Sequence, residues 1–129
     1  MLDYSWYSLL NHPPLKPPAW LFSPVWTVLY ISMFISLFLF AKKQTEKSKA
    51  WGYVLFFTQL LLNLAWTPAF FGLKNIPFAL AIIILLDILV LFNILEFNKV
   101  SKSAARTLIP YFIWILFATY LNFGYLILN

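Results

Sequence analysis

The stretch Trp51–Leu73, WGYVLFFTQLLLNLAWTPAFFGL, decides how this chain folds. It contains no charged residue, and it is long enough to cross the hydrocarbon core of a bilayer as a helix, which takes about 20 residues. Two side-chain amides interrupt its apolar character, Gln59 and Asn63, and their spacing places them on one face of the helix. Because an amide that faces lipid lacks hydrogen-bond partners, we expect this face to point into the protein.

Two stripes of residues continue along the same helix. Trp66 follows Asn63 at helical spacing and extends the amide face. Ala65, Ala69 and Gly72 form a second, smooth stripe, which lies about a third of a turn away. Small side chains let membrane helices approach closely, so this stripe predicts contact with another helix.

The composition of the whole chain excludes a soluble domain. Of its 129 residues 63% are hydrophobic and 21% aromatic, whereas 10% are charged, and the mean hydropathy is +0.83. A water-soluble protein of this size could not bury so much apolar surface, so the lipid bilayer is the expected partner. The net charge of +5 does not indicate a nucleic-acid partner, because the basic residues lie between the apolar runs.

The apolar runs define four predicted spans within a single membrane domain that comprises residues 1–129. A proline- and aromatic-rich segment, residues 1–19, precedes the first span. The pattern predicts an all-α, polytopic transmembrane helical bundle. Its four spans cover about residues 20–41, 51–73, 76–97 and 107–128.

Three of the four prolines within these spans bear on the geometry of their helices. Pro24 and Pro110 are expected in the opening turns of the first and fourth spans, where a missing N–H is harmless. Pro68 should bend or loosen the second span near its end.

Two lysine-rich loops separate the spans, at residues 42–49 and 98–106. Together they hold seven of the nine basic residues. Four spans put both loops on the same side of the membrane, and the usual excess of positive charge in cytoplasmic loops predicts that this side is the cytoplasm. The N-terminal segment, the turn at residues 72–75 and the C-terminus then face outward.

Asp87 stands near the middle of the otherwise aliphatic third span. A charged carboxylate at the centre of a bilayer costs about 2.5–3.5 kcal/mol on insertion scales. Its helical neighbours, such as Ile83 and Leu91, offer no partner. We therefore expect Asp87 to be protonated, to face a cavity or to pair with another helix, and a role as a proton relay stays open.

Three runs of residues together resemble one protein family. The runs are WYSLLNHPPLKPPAWLFSPVWTVLY (Trp6–Tyr30), QLLLNLAWTPAFFG (Gln59–Gly72) and PYFIWILFATYLNF (Pro110–Phe123). In order and separation they resemble the tryptophan-rich sensory protein / translocator protein family, TspO/MBR, over nearly the whole chain. The resemblance implies a membrane bundle, usually dimeric, that binds tetrapyrroles and, in some members, sterols and synthetic isoquinoline or benzodiazepine ligands.

The resemblance also implies a ligand pocket between the helices, beneath a lid formed by the loop after the family's first helix. Carried over by position, the pocket includes Tyr7 from the lid, Trp26 from the first span, Gln59 and Asn63 from the second, and Trp114 and Ala118 from the last. Helical spacing adds three residues on the same faces, namely Tyr30, Trp66 and Asn122.

The chain departs from the family pattern in several places. The family has five helices and this chain begins at the loop after the first, so we expect four, either because that helix is absent or because the start is truncated. The lid tryptophan of the family is replaced, since Leu15 stands before Lys16. The tyrosine of the family's cholesterol motif corresponds to Phe123, and no basic residue follows it, which argues against sterol binding through that motif.

Few residues in this chain could support enzyme chemistry. It has no cysteine, and its one histidine, His12, lies outside every predicted span, which excludes a histidine-rich metal site and the usual axial ligation of haem. Paired carboxylates, an activated nucleophile and a phosphate loop are absent from the sequence. We therefore expect no cofactor and a metal-free porphyrin as ligand, with indoles stacking on the ring while Gln59 and Asn63 reach its polar edge.

The predicted site residues also have a purely structural interpretation. Gln59 and Asn63 could simply join helices, at about 0.6 kcal/mol for each interhelical hydrogen bond. Trp26 and Trp114 could be packing residues or interface anchors.

Three functions are therefore in view. The first, which we favour, is binding of porphyrin-like or other hydrophobic aromatic ligands for transport, sensing or disposal. The second is light-dependent porphyrin degradation, which the resemblance associates with tryptophans at the positions of Trp26 and Trp114. The third is a small structural membrane subunit.

We further predict a homodimer. A four-span bundle leaves open the side of the pocket that the family's first helix helps to close. The stripe Ala65, Ala69 and Gly72 offers a surface on which a second protomer could pack closely. Because lipid provides no hydrophobic drive for this contact, shape fit must supply most of it, and Ala69→Leu is expected to separate the protomers.

Overall fold

The computed structural model describes residues 19–129, with side chains from Pro24 onward except that of Phe71. A short π-helical turn, Pro68–Gly72, directly follows the second of its long helices. Tyr7 and the rest of the predicted lid before Ala19 lie outside the described residues. The four long helices are α1 (Ala19–Lys42), α2 (Ala50–Thr67), α3 (Ile76–Asn98) and α4 (Lys102–Leu128).

Each of the four helices is long and apolar enough to cross a membrane. A helix satisfies its own backbone hydrogen bonds, which is what a segment in lipid requires. The outward faces carry large exposed apolar side chains that suit contact with lipid, among them Phe38, Leu61, Leu85 and Ile113. The predicted all-α bundle of an integral, multi-pass membrane protein is confirmed.

Neighbouring helices follow the order α1, α4, α3, α2 across the bundle. α4 packs on both α1 and α3, and α2 packs on α3. The hydroxyls of Ser32 and Ser36 on α1 donate to the backbone carbonyls of Thr107 and Ala104 on α4, at 2.6 and 2.7 Å. These two hydrogen bonds join α1 to α4. Lipid offers the serine hydroxyls no alternative hydrogen-bond partners.

α1 and α2 meet near the lysine-rich end of the bundle. The ring of Phe40 stacks on that of Phe97, with centroids 4.1 Å apart, and lies edge-on to Tyr53 at 5.3 Å. Gly52 makes room for this ring, because a Cβ atom at that position would lie 2.5 Å from it. A larger residue at position 52 would force Phe40 out of the aromatic stack.

Pro68 changes the course of the second span. It has no N–H to donate, and α2 ends at Thr67. The chain continues in a wider turn, in which the Leu73 N–H donates to the Pro68 carbonyl at 2.8 Å. Asn75 then caps α3 by accepting the Phe78 N–H at 3.1 Å. The expected loosening at Pro68 is confirmed.

α4 begins five residues before the predicted start of the fourth span. The hydroxyl of Ser101 accepts the Ala104 N–H at 3.2 Å and caps the helix ahead of Lys102. Pro110 therefore lies inside α4, just as Pro24 lies inside α1, and the prediction that these prolines occupy opening turns is wrong. Apolar runs locate the part of a helix that lies in lipid, whereas residues 102–106 extend this helix into the polar region.

The two lysine-rich loops lie side by side at one end of the bundle. Nζ of Lys47, in the first loop, donates to the backbone carbonyl of Lys99, in the second, at 2.9 Å. Four membrane crossings require this arrangement. Placement of these loops in the cytoplasm stays a prediction.

Candidate functional site

A chain of buried hydrogen bonds joins three helices in the interior of the bundle. The Tyr111 hydroxyl on α4 donates to Oε1 of Gln59 on α2 at 2.8 Å and accepts from Nδ2 of Asn63 at 3.0 Å. The Tyr30 hydroxyl on α1 donates to Oδ1 of Asn63. Both amide side chains are buried, so the amide face of α2 points into the protein as predicted. We call these four residues the amide network.

The amide network is largely closed within the protein. Each amide oxygen accepts a tyrosine hydroxyl, and Nε2 of Gln59 lies 3.7 Å from Sδ of Met33, a weak acceptor. Polar atoms that lipid could not satisfy are thus satisfied by neighbouring helices. These contacts support the structural interpretation of Gln59 and Asn63, which is to join α1, α2 and α4.

Two indoles from different helices meet beside the amide network. Trp26 on α1 and Trp114 on α4 lie edge to face, with ring centroids 6.3 Å apart and planes at 90°. Trp26 also lies 6.1 Å from the ring of Tyr30, whose hydroxyl begins the amide network. Both indoles are half-buried, so each keeps part of its surface accessible. We call Trp26 and Trp114 the indole pair.

The structure brings five of the predicted ligand residues into one neighbourhood. Trp26 and Trp114 touch each other, and Tyr30 connects them to Asn63. The hydroxyl of Tyr111 joins Asn63 to Gln59. Ala118 is buried in the same hydrophobic cluster, one helical turn beyond the indole of Trp114. Tyr7 lies outside the described residues, and its predicted contact with the pocket is untested.

Trp66 and Asn122, also predicted to bind ligand, contact each other. Nε1 of Trp66 donates to Oδ1 of Asn122 at 2.9 Å, and Nδ2 of Asn122 donates to the Ile76 carbonyl at 3.2 Å. The Trp66 ring stacks on that of Phe70 at 5.4 Å. Together these contacts tie the end of α2 to α4 and to the first residue of α3.

Tyr111 and Met33 contribute to the site but are not among the residues predicted to bind ligand. The signal for Tyr111 is present in the sequence, because it precedes Trp114 by three positions and shares its helical face. Helical spacing alone does not reveal that its hydroxyl reaches two amides on another helix. Met33 likewise shares a helical face with Trp26 and Tyr30, and a thioether gives little reason to expect a polar contact.

The small-residue stripe does not form a single surface. Ala65 and Gly72 are exposed, whereas Ala69 is 3% exposed and packs in a cluster with Phe70 and Tyr125. The predicted stripe assumes α-helical spacing throughout, but the π-helical turn at Pro68–Gly72 has more residues per turn and changes which face Ala69 occupies. Ala69 therefore lies inside the protomer, and a homodimer through Ala65 and Gly72 stays a prediction.

Asp87 pairs with another helix, which is one of the alternatives that the sequence leaves open. Its Oδ2 lies 2.6 Å from Oγ1 of Thr119 on α4, and the same Oγ1 lies 2.8 Å from the Ile115 carbonyl. Oδ1 of Asp87 is buried and has no hydrogen-bond partner within residues 19–129. The same holds for both amide atoms of Asn93, six residues further along α3.

An open groove with a volume of about 470 Å³ lies between α2 and α3 at the lysine-rich end. None of its lining residues belongs to the predicted ligand site. In the described part of the chain, moreover, no three His, Cys, Asp or Glu side chains come together as a metal site. The groove is lined by Trp51, Leu55, Phe92, Leu95, Glu96 and Lys99.

Comparison with known proteins agrees with this architecture. Residues 2–128 match the family model described as the TspO/MBR family. The tryptophan-rich protein TspO of Chlorobaculum tepidum is 44% identical over 127 residues, which cover 97% of this chain and 80% of that protein. The tryptophan-rich sensory protein of Cereibacter sphaeroides is 39% identical, with coverage of 96% and 77%, and the translocator protein of Homo sapiens is 37% identical, with coverage of 92% and 71%. This chain therefore belongs to the TspO/MBR family, as the motifs in its sequence predict.

Proposed function

We propose that this protein binds porphyrins and related flat, hydrophobic aromatic ligands between α1, α2 and α4, for their transport, sensing or disposal. The observation that carries the proposal is the edge-to-face contact of Trp26 and Trp114, beside the hydroxyl of Tyr30. Aromatic surface and hydrogen-bonding groups thus adjoin. A macrocycle with apolar faces and a polar edge needs this combination in its binding site.

The indole pair would form the stacking surface. Each indole is half-buried, so its position is held by neighbouring side chains while part of its ring can still be covered by a ligand. Because Trp26 belongs to α1 and Trp114 to α4, a ligand that stacks on either indole also lies close to the other helix. Bound ligand would therefore hold these two helices together, and Tyr7 of the predicted lid would cover it.

The amide network limits what Gln59 and Asn63 can offer a ligand. Both amide oxygens already accept tyrosine hydroxyls, so a polar edge reaches Oδ1 of Asn63 only by displacing Tyr30. Tyr30 contacts Trp26 as well, and it is thus the first polar group that a ligand on the indole pair would meet. We expect the indoles to contribute most to affinity and the amides most to stability.

The names of two relatives describe sensing and translocation. The relative from Cereibacter sphaeroides is named a sensory protein and that from Homo sapiens a translocator protein. Sensing and translocation both begin when the protein recognises its ligand. Binding is therefore the step to test first.

Titration of the purified protein with protoporphyrin tests this proposal. Quenching of tryptophan fluorescence and the change in porphyrin absorption are recorded together, because absorption does not depend on which tryptophans remain. Trp114→Leu should weaken binding by about 1–3 kcal/mol, on the scale measured for stacking of bases on aromatic side chains. Trp51→Leu is the matched control, since this indole is 68% exposed and belongs to the groove at the lysine-rich end.

Three outcomes separate the candidate functions. Wild-type affinity in a folded Trp26→Leu, Trp114→Leu double variant would place the site elsewhere. A wild-type protein that shows no saturable binding would support a structural subunit. New absorbing products after irradiation, formed by the wild type and not by the double variant, would indicate light-dependent porphyrin degradation.

A further inference from the structure

Asp87 and Thr119 form a polar contact at the centre of the membrane. We propose that Asp87 is a proton-binding site, in which a neutral carboxyl group donates its proton to the hydroxyl of Thr119. This inference is independent of porphyrin binding, because it rests on hydrogen bonds between α3 and α4.

Within residues 19–129, Asp87 lies far from the ends of its helix and from the basic side chains. Eleven residues of α3 separate it from either end of the helix, which is about 16 Å in each direction. The nearest basic residues along this segment are Lys74 and Lys99, and on α4 Arg106 precedes Thr119 by 13 residues, or about 20 Å. None of these three basic residues can neutralise a carboxylate at this depth by direct contact.

The helices packed on α3 provide no other charge at this level. Between Ala50 and Thr67, α2 has no charged residue. Beyond Arg106, the same is true of α4. The titratable side chains in these two segments are all tyrosines, and none is a carboxylate, a histidine or an amine. They are Tyr53, Tyr111, Tyr120 and Tyr125.

The hydrogen bonds of Thr119 favour the neutral carboxyl group. A threonine hydroxyl carries one proton, yet Oγ1 lies 2.8 Å from the Ile115 carbonyl and 2.6 Å from Oδ2 of Asp87. If Thr119 donates to Ile115, the contact with Asp87 needs a proton that only the carboxyl group can supply. The hydrogen bonds then run from Asp87 to Thr119 and from Thr119 to Ile115, with one proton in each contact.

An ionised Asp87 would be poorly stabilised by its surroundings. Thr119 could turn its proton to Oδ2, but that would be the one hydrogen bond to the charge, because Oδ1 is buried without a partner in residues 19–129. A charge so placed is strongly disfavoured at mid-bilayer. In the neutral form, a single carbonyl oxygen lacks a partner, which is far less unfavourable. Proton binding at Asp87 is thereby linked to the contact between α3 and α4.

Infrared spectroscopy near neutral pH tests the proposal, because a protonated carboxyl group absorbs apart from carboxylates. The protein is studied in a detergent without ester groups, since lipid esters absorb in the same region. We expect a protonated-carboxyl band that disappears in the near-isosteric variant Asp87→Asn. Assignment is simple because the chain has only four acidic residues, Asp3, Glu46, Asp87 and Glu96.

Two matched controls isolate the band. Glu46 is exposed, and Glu96 forms an ion pair with Lys99 at 2.7 Å, so Glu46→Gln and Glu96→Gln should leave the band intact. Thr119→Val keeps the side-chain shape but removes the acceptor, and the band should shift toward the frequency of a free carboxylic acid. Thr119→Ser should restore the original position, and circular dichroism verifies that each variant is folded.

Three results would overturn the proposal. One is a wild-type spectrum without a protonated-carboxyl band near neutral pH. The second is a band that survives in Asp87→Asn. The third is a band that does not move in a folded Thr119→Val variant, which would show that Asp87 donates elsewhere.

Discussion

The Tyr111 hydroxyl donates to Oε1 of Gln59 at 2.8 Å and so joins α4 to α2 across a sequence separation of 52 residues. The Tyr111 hydroxyl oxygen also accepts a hydrogen bond from Nδ2 of Asn63, one helical turn further along α2, at 3.0 Å. This one hydroxyl thus orients both amides. Oδ1 of Asn63 in turn accepts a hydrogen bond from the Tyr30 hydroxyl on α1. The Tyr111 hydroxyl, which both donates and accepts, thus holds helices that are far apart along the chain at the same depth in the bundle.

Tyr111→Phe should destabilise the folded bundle. It removes a buried hydroxyl and leaves Gln59 and Asn63 each without one partner, a situation that costs about 1–3 kcal/mol per buried group. The free energy of unfolding is measured in detergent by thermal or denaturant unfolding. Tyr53→Phe is the control, because it removes a hydroxyl outside the amide network, at the lysine-rich end. Equal losses in the two variants would show that the network adds no particular stability.

The two indoles should be energetically coupled in porphyrin binding. Because Trp26 and Trp114 lie edge to face, with ring centroids 6.3 Å apart, removal of one indole also changes the surroundings of the other. Trp26→Leu and Trp114→Leu together should therefore lose less affinity than the sum of the single losses, with a coupling of about 0.5–3 kcal/mol. Isothermal titration with protoporphyrin measures the affinity of the wild type, the two single variants and the double variant, which together form a double-mutant cycle. Strictly additive losses would mean that the two indoles do not act as one surface.

Asn93→Leu should stabilise the protein. The Asn93 side chain is fully buried, and neither amide atom has a partner among residues 19–129. Replacement by an apolar residue of similar size removes an unpaired polar group that costs about 1–3 kcal/mol. Asn122→Leu is the opposite case, because Asn122 bonds both Trp66 and Ile76, and it should lower the unfolding temperature. If Asn93→Leu also lowers it, Asn93 has a partner such as an internal water molecule.

Both lysine-rich loops should be inaccessible from outside intact cells. The chain has no cysteine, so single cysteines at Ser48 and Ser103 can be labelled without background. Both positions are exposed, whereas Ser101 is buried and caps α4. An impermeant thiol reagent should label Leu73→Cys, at the opposite end, and spare the two loop positions until cells are opened. The reverse labelling pattern would invert the orientation.

The predicted homodimer should depend on Ala65 and not on Ala69. Ala65 is exposed on α2, so a bulky Ala65→Leu side chain would hold a second protomer away. Ala69 is buried, and Ala69→Leu should instead overpack the protomer and lower its stability by about 1–3 kcal/mol. Crosslinking in membranes and single-molecule photobleaching report the dimer fraction, and thermal unfolding reports the protomer. A monomeric wild type, or a dimer unaffected by Ala65→Leu, would rule out this interface.

The class of protein, the four spans and the inward direction of the amides are predictable from the amino-acid sequence. Long apolar runs have few solutions in lipid, where each segment must satisfy its own backbone, and the helix does so. Helical spacing then assigns residues to faces, and an amide is driven to the inner face because lipid offers it no partner. The resemblance to the TspO/MBR family, carried over by position, added Trp26 and Trp114 to the predicted pocket.

Which side chains contact each other depends on how the helices pack, and the sequence does not reveal it. Tyr111 forms hydrogen bonds with Gln59 and Asn63, and Thr119 forms one with Asp87. These contacts form because α4 packs against its neighbours at one particular depth and rotation. A hydrogen bond requires atoms within about 3 Å, whereas periodicity locates a side chain only to one face of a helix. Ala69 is a further example. The π-helical turn at Pro68 has more residues per turn, so Ala69 lies in the core and not on the predicted outer stripe.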